Sequence, residues 1–234
     1  MWTAEVLIPA HRIVFALRGD QVIELRAPTT AATFGAYRGL PDAVHGMIAW
    51  PNTVLLRDPD GGPVVVDPGY ATQGDMLAGA LAARGLSPAD VGTALATHLH
   101  SDHVTALPQL GPVDLHAHER ELEEPHAHAQ RGAMDAATIR PLTGEAGEVV
   151  PGVRWILTPG HTKGHVCFLV DTAEGVVAIA GDTPGPDPRW LADMDLPDGH
   201  PRREDHLRAF RAIRDAGPVL VIPGHNPPQP LAAP

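Results

Sequence analysis

The sequence has one cysteine, Cys167, and one lysine, Lys163. A lone cysteine excludes an internal disulfide and suits a reducing compartment; its place inside an apolar strand marks it as buried and inert. The 17 basic residues, arginine except for Lys163, are scattered among 28 acidic ones, for a net charge of −11. A phosphate backbone is gripped by clustered Lys and Arg, and the nearest cluster here, Arg202-Arg203, is followed at once by Glu204 and Asp205. No nucleic-acid partner is expected. No apolar run approaches the roughly 18 residues that cross a membrane. The N-terminal MWTAEVLIPAHRIVF shows no basic head leading into an apolar segment, so no secretory signal is read and cytoplasm is the expected location. The chain also lacks a glycine-rich dinucleotide fingerprint, a P-loop, a G-x-S-x-G nucleophile motif and any internal repeat of 20–50 residues.

Strands dominate the N-terminal third. VLIPAHRIVFAL and DQVIELRAP are β-rich and are separated by Arg18-Gly19-Asp20, while TVLLRDPDGGPVVVDPG reads as a hairpin turning at Asp58–Gly62. QGDMLAGALAARGL carries Met76, Leu77, Ala80 and Leu81 at helical spacing and stops at Gly85. Strands and helices then mix: VDLHAHE, a helical RELEEPHAHAQRG broken at Pro125, WILTPGH, HVCFLVD, VVAIAGD, the helix REDHLRAFRAIRDAG, and VLVIPGH. Two stretches, 31–50 and 183–201, look irregular. Their apolar residues (Phe34, Tyr37, Met47 and Trp50; Trp190 and Met194) offer either a substrate pocket or ordinary core and dimer contact. No domain boundary is visible, so one domain over 1–234 is expected.

Fourteen histidines is a high share, and three of them crowd with an aspartate into ATHLHSDHVTAL at 96–107. On a strand, His98, His100 and Asp102 would share a face, and the adjacent Asp102 and His103 must diverge. One segment could thus serve two ions, His98 and His100 for one and Asp102 and His103 for the other. Imidazole with carboxylate suits zinc first, with iron, manganese or cobalt compatible. Further polar residues follow apolar strands at Val66-Asp67, Pro159-Gly160-His161, Gly181-Asp182 and Gly224-His225. Side chains at such addresses can converge on one sheet edge.

HLHSDH, TPGHTKGH, AGD and IPGH, preceded by VVVDPG, resemble the metallo-β-lactamase-fold hydrolase superfamily, lactonase and glyoxalase-II-like members above all, over about residues 50–226. The resemblance implies an α/β fold, a four-layer αβ/βα sandwich of two mixed sheets flanked by helices, with two divalent metal ions at one edge. It assigns His98, His100 and His161 to the first ion, Asp102, His103 and His225 to the second, and Asp182 to both. Asp67 would orient a ligand histidine, though a turn-forming role before Pro68-Gly69 competes. His165 would support the site or line the pocket. The implied reaction is attack of a metal-bridged hydroxide on the carbonyl of a small-molecule lactone, ester or thioester, with Asp102 relaying a proton. Quorum-quenching lactonases place a tyrosine three residues after the bridging aspartate; that position here is Gly185. Tyr70, three after Asp67, is the candidate replacement, with a plain surface tyrosine as its equal. Trp50 and Trp190 are candidate pocket residues. A mononuclear iron persulfide dioxygenase, a biosynthetic enzyme and a stand-alone nuclease of the same fold are the alternatives, and monomer or homodimer stays open. The pairs His116/His118 and His126/His128 are expected to be surface residues of a strand and a helix.

Overall fold

The computed structural model describes residues 1–26, 44–58, 61–185, 187 and 189–231. In chain order the elements are β1 (Thr3–Ile8), β2 (His11–Arg18), β3 (Gln21–Arg26), β4 (Val44–Trp50), β5 (Thr53–Arg57), β6 (Val64–Val66), α1 (Gly74–Ala82), β7 (Thr93–Leu95), α2 (Ser101–Val104), β8 (Val113–His118), α3 (Glu119–Leu122), α4 (Pro125–Ala129) and α5 (Arg131–Met134). There follow β9 (Ala137–Leu142), β10 (Ala146–Val150), β11 (Val153–Leu157), β12 (Val166–Thr172), β13 (Gly175–Gly181), α6 (Arg189–Asp193), α7 (Arg203–Asp215), β14 (Leu220–Pro223) and β15 (Gln229–Pro230).

Two six-stranded sheets form the body, ordered β1-β5-β6-β7-β8-β9 and β10-β11-β12-β13-β14-β15. Both are mixed: β6 to β9 run parallel in the first, and β13 and β14 in the second. The period-two alternation of a strand explains the layering. Val54, Leu56, Val64, Val66 and Leu95 face Trp155, Phe168, Val170, Ile179 and Ile222 across the gap between the sheets. The intervening Leu55, Val65 and Ala94 point the other way and pack with Leu77 and Leu81 of α1. On the outer face of the second sheet, Cys167, Leu169, Ala178 and Val221 pack with Leu207, Phe210 and Ile213 of α7. Helix, sheet, sheet, helix is the expected four-layer sandwich. No helix among the described residues is long and apolar enough to cross a membrane.

The hairpin at 53–66, the helix stopping before Gly85 and the helix from 203 stand where the sequence puts them. VLIPAHRIVFAL is β-rich as expected and divides at Pro9, so β1 joins the first sheet and β2 a separate three-stranded sheet, β3-β2-β4. Two readings need correction. The stretch 31–50 is not irregular throughout, because Val44–Trp50 is strand β4; residues 31–43, with Phe34 and Tyr37, lie outside the described residues. The stretch 183–201 contains α6.

Candidate metal centre

Parallel strands deliver their C-terminal ends to one edge, and that edge gathers the polar residues. Asp67 leaves β6, the histidine cluster leaves β7, His161 lies in the β11–β12 loop, and Asp182 and His225 follow β13 and β14. The two sheets are stitched together here, with Val166 N–H donating to the Thr97 carbonyl at 2.8 Å. Gly181 sits at φ +47°, and a Cβ there would lie 2.5 Å from Thr97 Oγ1 and 2.7 Å from His165 Nε2. A side chain would force the sheets apart at this point.

The histidine cluster is not a strand. The ladder of β7 stops at Leu95, and Asp67 then takes over as partner, accepting from Thr97 N–H at 2.8 Å and from Thr97 Oγ1–H at 2.7 Å. Released from the sheet, the chain bends at Thr97 and His98, His100 is extended, and Ser101 starts the one-turn helix α2. The face-sharing argument therefore fails for Asp102, but the division of the segment into two groups survives. His98, His100 and His161 form one set of donor atoms; Asp102, His103 and His225 form another; His103 also groups with Asp182 and His98.

In the first set, His100 Nδ1 lies 3.0 Å from both His98 Nε2 and His161 Nε2. In the second, His225 Nε2 lies 3.0 Å from Asp102 Oδ2. Asp182 spans the two, with Oδ2 at 3.4 Å from His161 Nε2 and 3.6 Å from His225 Nε2, and Oδ1 at 3.5 Å from His103 Nε2. A tetrahedral zinc ion with nitrogen ligands at about 2.0–2.1 Å keeps its donors about 3.3 Å apart, close to these separations. Two atoms sharpen the test. His103 Nε2 and Asp182 Oδ1 are buried with no hydrogen-bond partner, a costly arrangement unless a cation engages them. The donor set fits divalent metal.

The residues behind the donors hold them in place. His103 Nδ1–H donates to Asp67 Oδ2 at 2.9 Å, which turns Nε2 toward Asp182. His165 is fully buried; its Nε2 accepts from Asp182 N–H at 3.1 Å, and its Nδ1 meets Thr158 Oγ1 and Thr183 Oγ1. Asn52, which the sequence does not single out, accepts from Ala10 N–H and donates to the carbonyls of Pro223 and Asn226 on either side of His225.

Burial dominates the electrostatics of the first set. It drives His98 well below the ordinary imidazole range, with His103 and His161 adding to the effect, and pushes His100 down to about 4. Their nitrogens are thus neutral and free to ligate near pH 7. Burial also opposes charge on His103, but Asp67 and Asp182 outweigh it and raise its pKa well above the usual value. Asp182 is held far below the carboxylate range by His225, His103 and His161 against the opposing effect of burial. For Asp102, burial likewise opposes ionisation, and the hydrogen bond from His225 overcomes it.

Other expected residues fall less centrally. Tyr70 is exposed, in the loop leaving β6, whose Gly69 N–H donates to the His103 carbonyl. Trp50 ends β4 and lies 5.1 Å, ring to ring, from His11. Trp190 packs over Gly185 and against His200. Cys167 is buried, and burial pushes its thiol pKa up, as expected of an inert cysteine. The surface reading of the HAH pairs fails for two residues. His118 is buried and bonded to the Gly144 carbonyl, and the His126 ring stands edge-on to His100 at 4.4 Å. Two further residues escape the sequence reading. Arg12 of β2 has its pKa lowered by burial, with the Asp182 carboxylate opposing that effect. Glu121 is wholly buried.

Residues 51–225, which carry every donor above, match the sequence model of the metallo-beta-lactamase superfamily. The chain belongs to this superfamily. Among curated proteins, metallo-beta-lactamase domain-containing protein 1 of Homo sapiens is 28% identical over 219 residues, spanning 91% of this chain and 74% of that protein. Atrochrysone carboxyl ACP thioesterase of Aspergillus fumigatus is 26% identical over 139 residues, 58% of this chain and 38% of that protein. Among solved structures, an N-acyl homoserine lactone hydrolase with N-hexanoyl-L-homoserine at its catalytic metal centre superposes with a TM-score of 0.64 at 18% identity, covering 96% of this chain and 92% of that one. At that identity the likeness speaks for the fold.

Proposed function

We propose that this chain is a zinc-dependent binuclear hydrolase acting on the carbonyl of a small-molecule lactone, ester or thioester. The observation that carries the reading is the convergence of seven donor side chains on one sheet edge, with His103 Nε2 and Asp182 Oδ1 buried among them without a hydrogen bond. His98, His100 and His161 would hold one ion, Asp102, His103 and His225 the other, and Asp182 both. When bound, such a pair supplies a nucleophile at neutral pH by acidifying water and polarises the substrate carbonyl. The presence of the second donor set favours two ions over a single iron.

The protein's own contribution is orientation and proton handling. Asp67 fixes the tautomer of His103, and His165 fixes the backbone of Asp182. Asp102 would pass a proton between the site and solvent, a reading its quarter exposure and its bond to His225 support. Tyr70, exposed in the loop that leaves β6, is the candidate donor to the substrate carbonyl, and Trp50 and Trp190 are candidate walls of the pocket. The lactone hydrolase and the thioesterase among the relatives support acyl substrates.

Metal analysis of the purified protein tests this reading. About two zinc ions per chain are expected, with less in Asp182→Ala and His100→Ala. One iron per chain, with oxygen uptake on a persulfide substrate, would overturn it in favour of oxygen chemistry.

A further inference from the structure

Glu121 is one of four glutamates in the run Glu119–Glu124, and it alone is wholly buried. A buried carboxyl group is costly unless its oxygens are met by donors, and here each oxygen has two. Oε1 accepts from Leu99 N–H at 3.0 Å and from His126 Nε2–H at 2.6 Å. Oε2 accepts from Thr162 Oγ1–H at 2.6 Å and from Gly164 N–H at 3.2 Å. Leu99 lies between His98 and His100, and Thr162 directly follows His161. The first segment leaves β7 of one sheet, and the second joins β11 to β12 of the other. One side chain therefore ties together the two loops whose histidines form the first donor set. Its fourth donor, His126, packs edge-on against His100. The approach is close: a Cβ on Gly164 would fall 2.2 Å from the Glu121 backbone nitrogen.

We infer that Glu121 is a positioning residue that sets the mutual spacing of His98, His100 and His161, and through it the affinity of that set for its cation. The inference rests on the metal-hydrolase reading above. A carboxyl group that only stapled the two sheets would matter for stability and leave metal affinity alone.

Glu121→Gln keeps the shape and replaces one acceptor oxygen with an amide NH2, which then faces two donors. Protein stripped of metal is titrated with zinc against a chromophoric chelator, for the wild type, Glu121→Gln, Thr162→Val and His98→Ala, and each stripped form is melted alongside. The expected result is a 10–100-fold loss of affinity at one binding step in Glu121→Gln, the other step holding, with a smaller loss at the same step in Thr162→Val. Unchanged zinc affinities in Glu121→Gln, with or without a lower melting temperature, overturn the inference. Should Glu121→Gln fail to fold, Thr162→Val decides: a weakened step supports the positioning role, and an unchanged titration overturns it. Wild-type protein that takes up no zinc removes the metal-hydrolase reading and this inference with it. Zinc uptake lost in His98→Ala but intact in Glu121→Gln removes this inference alone.

Discussion

Asp67 holds a left-handed backbone at φ 50°, a conformation that costs a non-glycine residue energy and that aspartate tolerates better than most. Three hydrogen bonds compensate, from Thr97 N–H, Thr97 Oγ1–H and His103 Nδ1–H. The turn-forming and histidine-orienting readings of this residue are thus compatible: the unusual turn is what aims the carboxylate. His206, given no role from sequence, is buried with its Nδ1–H donating to the Thr183 carbonyl, next to the loop that bears Asp182. Burial lowers its pKa from 6.5 to about 4. Between those values the unfolded chain holds a proton that the folded one does not, so stability falls on acidification, by up to about 1.4 kcal/mol per pH unit. Urea midpoints of metal-free protein at pH 7 and pH 5 are expected to differ accordingly, and His206→Asn to reduce the difference. An identical pH dependence in the variant would remove His206 as its source.

Among the elements, α7 was readable because its apolar positions keep helical period: Leu207, Phe210 and Ile213 are all buried. Phe210→Ala is expected to cost about 3–5 kcal/mol of stability, measured by urea unfolding, while the folded protein keeps its zinc stoichiometry, since α7 lies behind the second sheet and carries none of the donors. Loss of metal at wild-type stability would contradict that separation. β9 and β10 were not readable. Each is a sheet edge with shallow burial: β9 alternates only over Ala137–Arg140, and β10 is exposed over its first three residues; Pro141 within β9 is tolerated because one side of that strand has no ladder partner among the described residues. The strand geometry expected for the histidine cluster failed for a related reason. Three residues of β7 suffice to deliver the chain to the edge, and the Asp67 side chain then replaces the ladder.

For the whole molecule, the site is a seam between two sheets, so metal should stabilise the fold. Asp182 and His225 come from the second sheet, Asp102 and His103 from the first, and Asn52 bridges the β1–β2 connection to the His225 loop. Removing metal with a chelator is expected to lower the melting temperature on the order of 10 °C, from about 4 kcal/mol of binding free energy at a thousandfold excess over Kd. Adding zinc back should restore it, and an unchanged melting temperature would argue against a metal that joins the sheets. The candidate donors stood out in the sequence because polar residues directly follow apolar strands there, and the resemblance those motifs carry implied the four-layer architecture. The candidate donors follow apolar strands at short distances, and strands and helices declare their buried faces by period. What only the tertiary structure decided is which polar residues meet from far apart. Glu121 cannot be told from Glu119, Glu123 and Glu124 by composition or spacing, nor His126 from His128. The difference is burial between two loops from opposite sheets, and no local pattern encodes a contact made across the seam.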